Sequence, residues 1–249
     1  MHLLGIDCAV DPKKCGFASG TATHGRIIVE SVITGLREEE LLGSICSSIN
    51  NNPTTLLAID APFGWPVSLE ESLQGHKAGD VIAQDANTLF RRETDRFIKE
   101  HINKQPLDVG ADRIARTAWA ALRLLDIIRS KTQQEIPVAW KPGSVTRTSC
   151  IEVYPAATIE ARQLPSVGYK GKTEEKVEAR LQLLDRLRAV LEVNEEQQQM
   201  MLKSDDAFDA VLCLLAGQDF TQNSVFTPPD LSVAEREGWI WVRKPGVGS

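Results

Sequence analysis

The N-terminal part of the chain alternates between short apolar runs and turn sequences. Runs of this kind, rich in β-branched residues and bounded by Gly, Pro, Asp or Asn, predict β-strands. They occur at 3–9, 16–22 and 26–33, and the turns Asp11–Lys14 and His24–Gly25 separate them. We therefore predict an antiparallel meander of three strands at the start of the fold.

The pattern then changes to a helical period. Apolar residues recur on one helical face over 38–49, and Asn50–Pro53 ends the run. A continuous apolar run at 56–60 follows, which is typical of a strand buried on both faces. Because a helix leads into this fourth strand, we expect it to lie parallel to the first strand of the sheet.

The remainder of the chain is predicted to be mainly helical. We expect a mainly helical insertion at about 67–148 within a single domain that spans 1–249. Beyond the insertion the pattern predicts a strand at 146–154, helices at 155–162 and 173–193, a polar link or helix turn at 195–199, and an edge strand or docking segment at 237–242.

The most informative stretch is an apolar helix that begins with acidic residues. Ser204 is suited to cap its N-terminus and Gly217 to end it. Every residue from 207 to 216 is apolar except Asp209, which predicts a helix buried nearly all round.

Three carboxylates of this helix allow two interpretations. Asp205 and Asp206 lie in the first turn, where acidic residues complement the positive end of the helix dipole. Asp209 lies one turn further inside and shares a face with both. An unpaired buried carboxylate costs several kcal/mol unless a cation or hydrogen-bond donors compensate it. A hard divalent metal ion would do so, and we favour a metal site over a solvated acidic cap.

Two strand ends carry the same feature. Leu4-Gly5-Ile6-Asp7 and Leu57-Ala58-Ile59-Asp60 both end a predicted buried strand with an aspartate. Functional sites of open α/β sheets form beyond the carboxyl ends of strands, so parallel neighbours would bring Asp7 and Asp60 side by side. Asp is also common at the turn after a strand, which is the simpler explanation for each residue alone. The loop after Asp60 places Trp65 at this end, as a stacking surface or as a packed lid.

Within the predicted insertion, arginines are concentrated on one helix. A helix over 111–129 places Arg113, Arg116 and Arg123 on one side. Such a stripe forms either a solvated basic face or an edge that contacts phosphate near the carboxylates.

Composition narrows the class of protein further. With 249 residues, 42% hydrophobic and 25% charged, the chain has an ordinary globular composition. Five cysteines without a C-x-x-C pair and four scattered histidines argue against a disulfide framework and against a zinc site. We find no signal-peptide pattern and no membrane-spanning apolar run, and therefore expect a cytoplasmic protein without a membrane partner. A net charge of −6 predicts that any polyanion binds along a local basic path.

Six short motifs follow one another along the chain: Gly5-Ile6-Asp7, Ile59-Asp60-Ala61-Pro62, Arg92-x-x-Asp95, Glu152-Val153-Tyr154-Pro155, Asp205-Asp206-Ala207-x-Asp209-Ala210 and Glu237-Gly238-Trp239-Ile240-Trp241. Taken in order, they resemble those of an uncharacterised family of predicted RNase H-like nucleases, a domain of unknown function. The acidic helix is also similar to that of Holliday-junction resolvases in the same superfamily. The resemblance implies an RNase H-like α/β fold, in which helices flank a mixed five-stranded sheet and a helical insertion follows the fourth strand.

The same resemblance implies a metal-dependent nuclease. Two Mg²⁺ or Mn²⁺ ions, roughly 3.5–4 Å apart, would act on the phosphodiester bonds of DNA or RNA. Metal ligands would be Asp7, Asp60, Asp206 and Asp209, and Glu152 would be a further ligand or a base. Arg92 and Lys141 are implied as phosphate contacts. The resemblance leaves both a monomer and a homodimer open.

Two other classes of function stay open at this point. The related actin-like ATPases also begin with an aspartate on a first strand, but this chain has no Gly-Gly pair for a second nucleotide loop. The other class is a non-catalytic domain that keeps the fold and uses the acidic pocket for a small ligand. The acidic net charge favours this class slightly over processive work on nucleic acid.

Overall fold

Six strands form one mixed sheet in the computed structural model, which describes residues 1–110 and 112–246. The order across the sheet is β5-β4-β1-β2-β3-β6. Strands β1 to β3 are antiparallel neighbours, whereas β4 is parallel to β1, β5 to β4 and β6 to β3. The bounds are β1 His2–Asp7, β2 Gly16–Thr23, β3 Arg26–Thr34, β4 Thr55–Asp60, β5 Ser149–Glu152 and β6 Leu191–Glu192. The predicted mixed α/β class, the meander and the parallel fourth strand are therefore confirmed.

Helices occupy most of the remaining described residues. The bounds are α1 Glu38–Asn51, α2 Val67–Leu73, α3 Ala86–Phe90, α4 Glu93–Ile102, α5 Asp112–Thr132, α6 Pro155–Glu160, α7 Glu174–Leu187, α8 Glu195–Lys203, α9 Asp205–Thr221 and α10 Leu231–Glu237. Helices α2 to α5 lie between β4 and β5, where the sequence predicts a mainly helical insertion. The start predicted for α5, Ala111, lies outside the described residues. No helix among the described residues is both long and apolar enough to cross a membrane.

The sheet is covered by helices on both faces. Alternate residues of a strand point to opposite faces, so Leu3 packs with α9 while Leu4 and Ile6 pack with α1 and α5. Helix α9 is the central element of its layer, and its side chains are buried from Ala207 to Phe220. This burial explains why the helix is apolar all round rather than amphipathic.

Two glycines allow α9 to approach the sheet closely. A Cβ atom added at Gly5 of β1 would lie 2.0 Å from the carbonyl oxygen of Ala210. One added at Gly16 of β2 would lie 1.9 Å from the carbonyl oxygen of Asp206. Both contacts are with backbone, which cannot rotate away as a side chain can. The first turns of α9 therefore lie directly on the end of β1 that carries Asp7 and on the adjoining start of β2.

Three elements differ from their predicted extents. The sheet has six strands rather than five because the predicted helix at 173–193 ends at Leu187, and Leu191–Glu192 pairs with β3. Gly217 does not end α9, which continues to Thr221 and is buried on both sides of this glycine. The predicted strand at 146–154 is limited to β5.

The C-terminal segment docks on the fold and is not a full edge strand. Ile240 forms an isolated parallel bridge with Glu152, and the backbone N–H of Trp241 donates to the carbonyl oxygen of Glu152 over 3.0 Å. Trp239 and Trp241 are both buried. Both indoles are therefore part of the packed core and are not exposed for base stacking.

Candidate metal centre

Two of the three central carboxylates come from neighbouring parallel strands. Asp7 is the last residue of β1 and Asp60 the last of β4, and the two residues are direct partners in the parallel register. The alternation of side chains places Asp7 on the face of β1 that carries Gly5, and this face packs against α9. The predicted juxtaposition of Asp7 and Asp60 is therefore what the register produces.

The third carboxylate is Asp209, in the second turn of α9. Ser204 caps this helix by accepting a hydrogen bond from the backbone N–H of Ala207, as the sequence predicts. One carboxylate oxygen from each of Asp7, Asp60 and Asp209 lies within 4.8 Å of the others. Asp209 is only 1% exposed, whereas Asp7 and Asp60 are partly exposed. The three oxygens face a common point on which a single cation could be centred.

A loop before α7 closes one side of this cluster. The Tyr169 hydroxyl donates a 2.8 Å hydrogen bond to Asp209 Oδ1. Lys170 Nζ forms an ion pair with Asp209 Oδ2, and the backbone N–H of Gly171 donates to Asp205 Oδ2 over 2.9 Å. Three consecutive loop residues therefore contact the carboxylates of α9.

One carboxylate oxygen in the cluster has the Lys170 ammonium as its one contact among the described residues. Asp209 Oδ2 is buried and accepts no hydrogen bond of good geometry from the described residues, although the Lys170 ammonium contacts it as an ion pair. Lys170 is the least buried member of the pair, with 55% of its side chain exposed. A different cation could therefore take the place of this half-exposed ammonium at Asp209 Oδ2.

Burial and mutual repulsion raise the pKa values of the clustered acids. Burial raises the pKa of Asp60 to about 7, with Asp209 and Glu152 adding to the effect and Lys170 opposing it. Burial and the charges of Asp209 and Asp60 raise the pKa of Asp7 well above its usual range. Burial raises the pKa of Asp209 as well, against the opposing effect of Lys170 and of the Tyr169 hydrogen bond. The cluster therefore holds more negative charge than its surroundings neutralise.

The environment of the helix start distinguishes Asp206 from Asp205. Asp205 is engaged by the Gly171 backbone. Asp206 is half-buried, and burial together with the charges of Asp205 and Asp209 raises its pKa. The charge of Asp206 in turn contributes to the raised pKa of Asp7. Asp206 therefore lies on the side of the helix that faces the cluster, although it is not one of the three residues whose oxygens converge.

Glu152 lies beside the cluster but is oriented to a different partner. It is 2% exposed and accepts two hydrogen bonds from the Arg92 guanidinium, Nη1 to Oε2 over 2.9 Å and Nη2 to Oε1 over 2.7 Å. The backbone N–H of Phe63 donates a third to Oε2 over 3.0 Å. Both carboxylate oxygens of Glu152 are thus occupied, and the structure does not place them with those of Asp7, Asp60 and Asp209.

Arg92 is buried among protein acceptors and does not face solvent. Besides Glu152 it contacts Asp95, through Nε over 3.2 Å and Nη2 over 3.0 Å, and its Nη1 donates to the carbonyl oxygen of Glu237 over 3.0 Å. All five N–H groups of the guanidinium therefore have an acceptor. In this arrangement Arg92 has no donor left for a phosphate.

The other two residues implied as substrate contacts lie apart from the cluster. The turn of Lys141 is joined to the far end of α9, because the backbone N–H of Gly143 donates to the carbonyl oxygen of Phe220 over 2.9 Å. Eleven residues of helix from Asp209 to Phe220 correspond to roughly 16 Å. Trp65 is 36% exposed, but its side chain does not line the cleft beside Asp60 described next.

A cleft of about 280 Å³ opens beside the cluster. Its lining is partly polar and partly apolar and includes Asp60, Lys170, Tyr154, Pro62, Leu107 and Thr117. Leu107 is 68% exposed. The carboxylates are therefore reachable from solvent along a wall formed by α5 and the segment before it.

Tyr169 and Lys170 are the site residues that the sequence pattern did not identify. They lie between Gly168 and Gly171, both with positive φ, in an irregular loop without hydrophobic periodicity. The one local feature is a Tyr-Lys pair held between two glycines, which predicts a turn but gives no indication of where the turn docks.

The donor set fits a hard divalent cation. Three carboxylates converge, one buried oxygen is contacted only by a half-exposed ammonium among the described residues, and carboxylate oxygens are the ligands that Mg²⁺ and Mn²⁺ prefer. Asp7, Asp60 and Asp209 would hold such an ion, and the charge of Asp206 acts on Asp7 from the start of α9.

The chain belongs to the family described as "Protein of unknown function (DUF429)", which matches residues 5–232. This match includes all three converging aspartates. Comparison with curated proteins and with solved structures found no match.

Proposed function

We propose that this protein is a metal-dependent phosphodiester hydrolase that acts on nucleic acid. The observation that carries the proposal is the convergence of Asp7, Asp60 and Asp209 within 4.8 Å at the carboxyl ends of two parallel strands. The resemblance of the six motifs to those of predicted RNase H-like nucleases supports the same chemistry by analogy.

The side chains around the cluster have distinct roles in this proposal. Asp7, Asp60 and Asp209 bind Mg²⁺ or Mn²⁺, and Asp206 is positioned to extend the site towards a second ion. Tyr169 fixes the orientation of the Asp209 carboxylate through its hydrogen bond to Oδ1. Metal ions in such a site supply Lewis-acid stabilisation of phosphate charge and activate water for attack.

The hydrogen-bond network around Arg92 stabilises the strand ends beside the site. Glu152 is fixed by Arg92, and its backbone pairs with β4 at Ile59, the residue before Asp60. We assign Glu152 a positioning role rather than that of a ligand, because both of its oxygens already accept hydrogen bonds. The cleft beside Asp60 and Lys170 is where a phosphodiester would approach the carboxylates.

Metal binding and cleavage test the proposal together. We expect Mn²⁺ at about 100 times its Kd to stabilise the wild-type protein by about 2.7 kcal/mol, which thermal unfolding against an EDTA control measures. Labelled single-stranded, double-stranded and branched DNA and RNA would then be screened for Mn²⁺-dependent cleavage. Asp7→Asn and Asp209→Asn should each lower cleavage by at least about 100-fold, since even loss of a group that only orients a metal ligand costs up to this factor.

Asp126→Asn is the matched control. Asp126 is an exposed carboxylate on α5, so its loss should change neither Mn²⁺ stabilisation nor cleavage. Retained cleavage in both Asp7→Asn and Asp209→Asn would contradict the site assignment. Stabilisation by Mn²⁺ without cleavage of any nucleic acid would instead support a metal-binding domain without nuclease activity.

A further inference from the structure

We propose that Lys170 and a divalent metal ion are alternative cations for Asp209, so that a metal ion must displace the Lys170 ammonium in order to bind. This inference rests on the proposed metal site and adds a residue that governs its occupancy. Lys170 is the only cation for which the described structure shows a contact with a member of the cluster.

Lys170 and a metal ion would compete because Lys170 contacts the oxygen of Asp209 that the metal needs. Its ammonium is paired with Asp209 Oδ2, a buried oxygen that accepts no hydrogen bond from any other described residue. A metal ion held by Asp7, Asp60 and Asp209 would require an oxygen of Asp209, and the other oxygen already accepts the Tyr169 hydroxyl. Two cations on the same carboxylate oxygen repel each other, so one replaces the other.

The backbone position of Lys170 is fixed by hydrogen bonds to its two neighbours in the loop. Arg180 of α7 is fully buried, and its Nη1 donates to the carbonyl oxygens of Tyr169 over 2.5 Å and of Gly171 over 2.8 Å. The same guanidinium donates through Nη2 to the carbonyl oxygen of Leu202, near the end of α8, over 2.6 Å. The backbone on both sides of Lys170 is thus anchored beside the start of α9.

Only the side chain of Lys170 is free to move. Tyr169 is 1% exposed and hydrogen-bonded to Asp209, and Gly171 is hydrogen-bonded to Asp205, whereas 55% of the Lys170 side chain is exposed. A flexible four-carbon stem lets an ammonium leave one partner without moving the backbone. The displaced ammonium would stay at the cleft wall that Lys170 shares with Asp60.

The test measures Mn²⁺ affinity and needs no substrate. Lys170→Gln keeps a hydrogen-bond donor for Asp209 but removes the charge, and Lys170→Arg keeps the charge. Free Mn²⁺ would be titrated by electron paramagnetic resonance in the full-length protein, with circular dichroism in EDTA to confirm folding. We expect Lys170→Gln to lower the Kd for Mn²⁺ at least about 5-fold, as for a coupling between two competing sites.

Lys172→Gln is the matched control, because Lys172 is an exposed lysine of the same loop. Its Kd and that of Lys170→Arg should stay within about 2-fold of wild type, a difference well below one tenfold step. If the wild type binds Mn²⁺ and Lys170→Gln has an unchanged or raised Kd, the proposed exchange of cations is wrong. The metal site itself would not be contradicted by this result. If neither protein binds Mn²⁺, the proposed function fails and the exchange fails with it. Binding in Lys170→Gln alone would support the exchange most strongly.

Discussion

Two neighbouring groups of buried acids differ in how completely their charge is compensated. In the network of Arg92, Asp95 and Glu152, one guanidinium donates all five N–H groups to two carboxylates and one carbonyl oxygen. In the cluster of Asp7, Asp60 and Asp209, three carboxylates share one partly exposed ammonium. The two groups are close enough that the charge of Glu152 contributes to the raised pKa of Asp60.

This difference distinguishes acids that stabilise the fold from acids that can bind a ligand. A buried acid whose oxygens are all paired has no capacity left for a ligand, and its loss is a loss of stability. A buried acid with an oxygen that lacks a donor destabilises the fold until a cation arrives, and its loss is a loss of binding. Residue type alone does not distinguish these cases, since both groups consist of acidic residues at the ends of core elements.

Breaking the compensated network should have the largest effect on stability. Arg92→Met leaves the carboxylates of Asp95 and Glu152 buried without their cation, so we expect a loss of about 3–5 kcal/mol in the free energy of unfolding. Chemical denaturation in EDTA measures it.

The neighbouring arginine provides the control for this variant. Arg91 forms an ion pair with Asp108 over 2.7 Å, but the two side chains are 30% and 41% exposed. Arg91→Met should therefore cost at most about 1 kcal/mol. Equal losses in the free energy of unfolding for Arg92→Met and Arg91→Met would show that the burial of the Arg92 network adds nothing to its contribution to stability.

Moving α9 away from the sheet should have a smaller effect on stability, and it should also weaken the metal site. Gly5→Ala places a Cβ atom 2.0 Å from the Ala210 carbonyl oxygen, so the helix must shift. We expect a loss of about 1–3 kcal/mol in the free energy of unfolding from the overpacking. The separation of Asp209 from Asp7 should also diminish the stabilisation by Mn²⁺, which the shift in Tm reports.

Gly43→Ala is the matched control, since Gly43 lies on the exposed side of α1 with no atom within 4 Å of an added Cβ. This variant should gain up to about 1 kcal/mol from helix propensity and respond to Mn²⁺ as the wild type does. A Gly5→Ala protein that kept the full Mn²⁺ response would contradict the dependence of the site on close helix packing.

The elements that position the site could be predicted because each has a strong local pattern. The strands that end at Asp7 and Asp60 are continuous apolar runs, and the helix with Asp209 combines a capping serine with a long apolar run. The two-residue strand β6 is too short to show a period. The end of α9 could not be placed because Gly217 is typical of a helix stop, whereas the helix continues past it and is buried on both sides of this glycine.

The partners of the acids were harder to predict than the acids themselves. Glu152 and Arg92 are sixty positions apart, so their pairing depends on the packing of α4 against the sheet end. Lys170 lies in an irregular loop whose location is set by Arg180, a residue that the sequence presents as one charge among many on an amphipathic helix. Charge compensation is a tertiary property, and it decides which acids can bind a cation.

The stability of the metal-free protein should change gradually with pH, because the charge of Asp60 is not compensated. The pKa of Asp60 is about 7 in the fold, raised mainly by burial, against an ordinary value of 3.8. The folded protein therefore holds a proton on Asp60 that the unfolded chain releases, and this contribution to stability is complete below about pH 4 and lost as the pH rises to about 7. Relative to Asp60→Asn, wild-type stability in EDTA should fall by up to about 1.4 kcal/mol per pH unit over this range.

Asp126→Asn should leave the slope unchanged, and saturating Mn²⁺ should reverse it because the metal binds the ionised carboxylate. A wild type parallel to Asp60→Asn across this range would contradict a pKa of Asp60 that burial raises in the fold.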